Sequence, residues 1–561
     1  MVKEYTKIRK STLFLTVALI GILLVSLVYA LTDNLRSTLE EFDQIASVVN
    51  SSYMEDVDPK VLIKAGINGM LGVLDPYTGY LDPRQYSALM EDTQGQFEGL
   101  GIEIAIQNGW LTVISPLEDT PAERMGIQAG DKIIKIEGIS TKGITEDEAV
   151  SKLRGKKGTL VHITIEREGI DQPMEYTIER DVISIRSVPY FGMAEDGIGY
   201  VRLNRFSDIT SDELKEAISE LERKKIKGLI LDLRGNPGGL LSEAVRVANV
   251  FLEPKRLLVE IKGKMKDQNK EFYSLDKPLY PQLPLAVLVD GGSASGSEIV
   301  AGAIQDWDRG IIIGDTTFGK GLVQTVFNLE DGAGLKLTTA KYYIPSGRCI
   351  QKPEDLKNHT SSSIEGEKTD KDNVVSDSTQ LKQKYFTKGG RVVYGGGGIV
   401  PDVIVPYETI SPLEYNLLAK LSFFDFAVHY TATHPHVPKD FEVDEKMLAE
   451  FKQFLKTKNF DYQTSSELEL SKLKEAVKEE GRSDLVNQQI RKLEELIKSE
   501  KENDFQKSET YIKSEIKENI LVKLYGQNAK YEVWFKDHPQ IVKAIQILSH
   551  PQEYKELLSA K

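Results

Sequence analysis

One cysteine, Cys349, stands among 561 residues. No intrachain disulfide framework can therefore hold this fold, and a lone thiol is ordinarily a small apolar side chain. Histidine is nearly as scarce. The seven are His162, His359, His429, His434, His436, His538 and His550. His162 lies in a strand-rich module, His359 in a polar insertion and the others in the C-terminal region, so a Ser-His-Asp triad would need long-range delivery of a histidine. Positive charge is in deficit, with 71 Lys and Arg against 85 Asp and Glu and a net charge of −14. With no concentrated basic patch, no nucleic-acid partner is expected.

Long apolar runs are also missing, with one exception. Lys3, Lys7, Arg9 and Lys10 precede the uncharged run STLFLTVALIGILLVSLVYALT, residues 11–32. That run has roughly the length of a bilayer span and exceeds a typical signal-peptide apolar region. Residues 1–32 read as a signal anchor, with the basic flank in the cytoplasm and the rest of the chain outside it. Val28-Tyr29-Ala30 weakly resembles a cleavage site, so removal of the run stays open. ATP is scarce on the outer side of that membrane.

A chain of this length suggests roughly three to four domains. Residues 33–85 carry helical apolar spacing (Leu35, Leu39, Phe42, Ile45, Val48, Val49) and end in the turn Leu74-Asp75-Pro76-Tyr77-Thr78. From about Phe97 to Arg167 short strands with glycine punctuation follow: GLGIEIAI, WLTVISP, DKIIKIEG, TLVHITIER. From about Tyr176 to Val405 strands and helices alternate, which argues for an α/β core. Residues 352–385 are polar and nearly free of bulky apolar side chains, and read as a disordered insertion in a loop. Residues 411–561 are helix-rich and highly charged, mostly as solvated helix faces.

Two glycine-rich turns and a lysine carry the chemistry. IIIGDTTFGKG, residues 311–321, has the glycine-lysine spacing of a phosphate loop. A true one continues with Ser or Thr and opens a helix. Here Gly321 follows the lysine, and LVQTVFNL has strand composition, so the nucleotide reading fails. Ser295 lies upstream in DGGSASGSE, between the apolar run LAVLVD and the helical SEIVAGAIQD. Such clusters are usually turns or caps, but a serine there stands at a helix N-terminus, where free amides and the dipole favour an oxyanion. Arg234-Gly-Asn-Pro-Gly-Gly239 is a second glycine turn between a buried strand and a helix. In a parallel sheet both turns lie at the C-terminal strand ends, where α/β ligand sites form. A serine nucleophile can take a buried, neutral lysine as base. Lys320, among Ile311–Ile313, Val323 and Val326, suits that role. Gln324, four residues on, would share its face in a strand and could orient it. Two solvent-facing polar residues are the ordinary alternative.

GGSASGSEIVAGAIQD, GDTTFGKGLVQT, LDLRGNPGG, YYIPSGR and GGIVPDV, in this order, resemble the carboxyl-terminal processing (tail-specific) serine proteases over about residues 35–410. The resemblance implies a multidomain α+β and α/β chain. Its crotonase-like protease core (171–410) would carry an inserted PDZ domain (86–170), a helical N-terminal segment (33–85) and a helical C-terminal extension (411–561). It implies Ser295 as nucleophile, Lys320 as general base and Gln324 as its orienting partner, with an oxyanion hole from the Gly239 and Gly296 amides. Asp306 matches a family aspartate near the site, the plain alternative being a helix-end acid facing solvent. Gly296 stands where the family usually has Ala, which leaves the amide available. Within the PDZ module, Leu100, Gly101 and Ile102 fit a carboxylate-binding loop, and an adjacent strand edge can pair with a peptide. No metal or cofactor is implied. The expected partners are protein or peptide substrates held by their C-termini, the cytoplasmic (inner) membrane, with the catalytic body on its periplasmic side, and a second copy of the chain. The alternative is an inactive, membrane-tethered PDZ scaffold that binds peptides without turnover.

Overall fold

The computed structural model describes residues 36–352, 383–407, 409–434, 436–481 and 484–559. The anchor expected at 1–32 and nearly all of the insertion expected at 352–385 lie outside these residues. At the insertion's far edge, Lys384–Phe386 is a strand paired antiparallel with Val392–Tyr394. Regular structure thus resumes before residue 385.

The described chain divides into two units. The smaller holds residues 36–83 and Gln324–Thr338. Residues 36–52 and Pro59–Gly72 are helices. The second begins with Asp58 accepting from the Lys60 amide and Pro59 at its first position, a start signal readable in the sequence. At the expected turn, the Asp75 carboxylate takes the amides of Tyr77 (2.9 Å) and Thr78 (3.0 Å). Strand Gly79–Leu81 then pairs antiparallel with Gly334–Lys336.

The larger unit is built on a six-stranded sheet: Tyr190–Met193, Ile198–Arg202, Gly228–Asp232, Leu285–Val289, Ile311–Gly314 and Val403–Ile404. Only its first pair is antiparallel. The three middle strands are buried along their whole length, as an apolar parallel sheet with both faces covered requires. Side chains alternate between the faces. Leu229, Leu231, Val287 and Ile312 meet helices Thr210–Arg223, Leu241–Phe251 and Gly296–Asp306. Ile230, Ala286, Leu288, Ile311 and Ile313 meet Tyr531, Phe535, Ile541, Ala544, Ile545 and Leu548. These last belong to helices Lys530–Asp537 and Pro539–Ser549. The end of the charged C-terminal region is therefore a structural layer of the core as well as a solvated surface.

A separate sheet carries strands Ile102–Gln107, Trp110–Pro116, Lys132–Ile136, Leu160–Glu166 and Met174–Glu179 in that order. It closes over its own apolar centre of Leu111, Val113, Ile133, Ile163 and Ile165. Helix Glu146–Leu153 packs on it, capped by a reciprocal Thr145–Glu148 box. This small domain rests on the C-terminal helices. Lys523 Nζ donates to the Ala129 carbonyl at 2.6 Å, Asn528 to Glu118 at 2.8 Å, and His429 Nδ1 lies 2.7 Å from Glu168.

Candidate active site

The parallel strands run out at one end of the sheet, and two glycine turns meet there. The first follows strand Gly228–Asp232 and the second follows Leu285–Val289. Asn236 stitches them together. Its carbonyl accepts from the Ala294 amide (3.0 Å) and the Ser297 hydroxyl (2.9 Å). Its side-chain amide donates to the Leu203 carbonyl, and its Oδ1 takes the Gly238 amide, both at 2.9 Å. The approach is so close that a Cβ on Gly238 would lie 2.7 Å from Ser295 Cβ and 2.8 Å from the Gly296 nitrogen. Gly238 also sits at φ 97°, a conformation that suits glycine.

Ser295 occupies the position just before helix Gly296–Asp306, at φ 52° and ψ −111°. A non-glycine residue in that region is strained, and such strain clusters at functional sites. The amides of Gly239 and Gly296 have no protein acceptor among the described residues. They are therefore available to an outside oxygen, and the second lies at a helix N-terminus.

Glu298 holds the serine in place, a residue the sequence reading passed over. Its carboxylate is fully buried. Oε2 accepts the Ser295 amide (2.8 Å) and the Lys320 amide (3.0 Å), while Oε1 accepts the Thr317 hydroxyl (2.6 Å) and the Gly319 amide (2.7 Å). Burial pushes this carboxyl up to about 7, although all four hydrogen bonds pull it down. The Ser295-x-x-Glu298 spacing, that of a capping box, was the available signal. Tyr342 adds a second tie, its hydroxyl reaching the carbonyls of both Ser295 (3.2 Å) and Lys320.

Lys320 is half-buried rather than buried. It stands in the loop between strands Ile311–Gly314 and Leu322–Asn328. A strand follows it, not a helix, in line with the failed phosphate-loop reading. Because that strand opens at Leu322, the alternation expected to align Lys320 with Gln324 does not reach back to the lysine. Gln324 belongs to the smaller unit, where its amide nitrogen lies 3.4 Å from the Thr338 hydroxyl. Asp306 closes the helix that Ser295 opens, about 15 Å away along its axis. It is buried, not solvent-facing, and paired with the fully buried Arg348 at 2.9 Å. It also accepts the Ser346 amide.

The sequence profile of peptidase family S41 matches residues 197–362, and that of the PDZ domain matches 89–166. A Carboxy-terminal-processing protease of Bartonella bacilliformis is 41% identical over 352 residues, covering 61% of this chain and 80% of that protein. The chain belongs to the carboxy-terminal processing proteases. It is a serine-type peptidase with a PDZ domain set into an S41 core between N- and C-terminal helical domains. Carboxy-terminal processing protease CtpA of Bacillus subtilis is 38% identical, covering 56% of this chain and 67% of that one. Among solved structures, a photosystem II D1 C-terminal processing protease is 28% identical over 66% of this chain and 87% of that one, with a TM-score of 0.35. Further profiles match residues 28–85 (the N-terminal domain of the activating protease CtpB) and 413–548 (the C-terminal helical domain of probable PDZ-proteases).

In the PDZ domain of this protease, a loop precedes strand Ile102–Gln107. Gly101 is at φ 78°, and the amides of Leu100 and Gly101 have no protein acceptor among the described residues. Among the described residues, strand Ile102–Gln107 is an edge strand paired with Trp110–Pro116. Its other edge is open to an added strand.

Proposed function

We propose that this protease cleaves peptide bonds with a Ser295–Lys320 dyad, on substrates delivered by a PDZ domain that holds their C-termini. The observation that carries the reading is Ser295, strained at a helix N-terminus beside two unclaimed amides and tied through Glu298 to the backbone of Lys320. Ser295 Oγ attacks the scissile carbonyl as its proton passes to the neutral Lys320 amine. The Gly239 and Gly296 amides hold the oxyanion of the tetrahedral intermediate. Collapse breaks the C–N bond, and Lys320 returns the proton to the leaving amine. Water then attacks the acyl-enzyme with Lys320 again as base.

The proposed setting is the outer, periplasmic side of the cytoplasmic membrane, with residues 1–32 as anchor. Among the described residues no helix is long and apolar enough to cross a membrane, so that assignment rests on the run at 11–32 and its basic flank. Pairing of two copies through the terminal helices is part of the same reading, since Leu39, Phe42, Ile45 and Val48 are exposed in the single chain.

The test is cleavage of an unfolded protein by the fragment from residue 33 onward, followed by mass spectrometry. Ser295→Ala and Lys320→Ala should each abolish cleavage while circular dichroism stays unchanged. Full activity in Lys320→Ala sinks the dyad, and no cleavage by the parent fragment leaves the scaffold reading.

A further inference from the structure

Of the six residues in the turn Arg234–Gly239, four are Gly or Pro. Only Arg234 and Asn236 have side chains able to fix where its amides point. Asn236 anchors the turn to the serine loop, as described above. Arg234 anchors it in the opposite direction, into the C-terminal helices. The Arg234 guanidinium is 2% exposed and grips Asp232 through Nε (2.9 and 3.0 Å) and Nη2 (2.5 Å). Asp232 is shared with Arg202 (2.8 Å) and the Tyr200 hydroxyl (2.6 Å). Burial opposes ionisation of Asp232, yet the two guanidiniums hold its carboxyl below the ordinary carboxylate range.

The remaining nitrogen, Nη1, is turned toward the far layer. It lies 2.8 Å from both ring nitrogens of His538 and 3.2 Å from Gln540 Oε1. Burial, with the Arg234 cation beside it, pushes the His538 imidazole down to about 3. The ring is thus neutral and keeps a lone pair for that N–H. Gln540 is in turn fixed by donating to the Val405 carbonyl at 2.8 Å. The Trp534 ring lies 6.0 Å from the guanidinium carbon. A side chain that bridges the two layers and starts the oxyanion turn is thus held at its outer end by two acceptors from residues more than 300 positions away.

We infer that His538 and Gln540 are positioning residues for peptide hydrolysis, acting through Arg234 on the Gly235–Gly239 turn. On this account two side chains of the C-terminal helical domain support the oxyanion turn. The inference rests on the assignment of Gly239 to the oxyanion hole. Loss of either acceptor leaves an Nη1–H of a buried guanidinium unpaired and frees the turn to shift. A shift of an oxyanion donor is felt in the transition state more than in substrate binding.

The test uses the full chain and a quenched fluorescent peptide with an apolar C-terminal residue. His538→Ala and Gln540→Met should each lower kcat at least tenfold with KM changed less than threefold, and His538→Asn, which restores an acceptor, should recover most of the loss. Ile545→Ala removes core contacts from the same helix without touching Arg234, and should lower the melting temperature while leaving kcat unchanged below it. Wild-type kcat in His538→Ala and Gln540→Met, or an equal fall in Ile545→Ala, overturns the inference. The Ser295→Ala chain separates this from the underlying reading. If it still cleaves the peptide, the active-site assignment itself has failed.

Discussion

Ser295 and Lys320 are tied backbone to backbone. Their amides share one oxygen of Glu298, and their carbonyls face one hydroxyl, that of Tyr342. Both ties run through main-chain groups, so they fix the backbones of the two residues. This arrangement makes Glu298 and the glycine turn the places where small changes should be most visible.

Activity and stability should respond to pH in opposite senses at Glu298. All four of its partners are donors, which fit an ionised carboxylate and not a protonated one. Its folded value of about 7 exceeds the ordinary 4.5. The folded state therefore binds this proton more tightly, and the group's contribution to stability is complete below 4.5 and is lost as pH rises through about 7. The loss is on the order of 3 kcal/mol. Cleavage should rise over the same window as the carboxylate ionises. Glu298→Gln should flatten the stability profile and lower kcat tenfold or more, because its NH2 group meets donors. Urea midpoints and kcat from pH 4.5 to 8.5 check both, and parallel trends would rule the account out.

Gly238→Ala places a methyl group against Ser295 and Gly296 in a conformation unfavourable to L-residues. The turn must move away from the serine. A kcat loss of roughly 100-fold, the scale of removing one oxyanion donor, is expected, with the PDZ domain's affinity for a C-terminal peptide unchanged.

Asp306→Asn tests a structural role at a position that resemblance alone would place near the chemistry. Without the carboxylate, the hydrogen-bond partners left to the buried Arg348 cation, Gln305 and the Tyr394 carbonyl, are neutral. Breaking such a pair costs about 3–5 kcal/mol. The melting temperature should fall clearly, while kcat per folded molecule, counted by fluorophosphonate labelling of Ser295, stays within threefold. A large fall in that kcat with an unchanged melting temperature would instead put Asp306 in the reaction.

Gly101→Ala addresses substrate capture. Its Cβ would lie 2.3 Å from Thr120 Cβ, again at positive φ. Fluorescence anisotropy should show at least tenfold weaker binding of a labelled peptide with a free C-terminus. Amidation of the same peptide should weaken binding to the parent protein and make little further difference to the variant.

Much of this site could be read along the chain. Ser295 at a helix start, the glycine turn at 234–239 and the strand after Lys320 each follow from an apolar run, a glycine cluster and a change of period within about fifteen residues. Glu298 was within reach for the same reason. What stayed hidden depends on distance or on direction. The expectation of a buried Lys320 assumed that apolar neighbours in sequence enclose a side chain, but the loop leaves it half-exposed. His538 could not be linked to Arg234 because nothing in YEVWFKDHPQ announces which face of which sheet it will cover. Charges there read as solvated surface, and the apolar stripe of Tyr531, Phe535, Ile541 and Ile545 became meaningful only against Ile230 and Leu288.

The sandwiching of the parallel sheet sets an order of events during biosynthesis. Strands Gly228–Asp232, Leu285–Val289 and Ile311–Gly314 emerge more than 200 residues before the helices that cover their second face. Until the last of those helices has been synthesised, that face lacks its cover and the Arg234 guanidinium lacks His538. A nascent chain made N-terminus first thus carries its serine and lysine for most of its synthesis without a finished support for the oxyanion turn. On the positioning inference, full turnover therefore waits for helices Lys530–Asp537 and Pro539–Ser549, made long after the strands they cover.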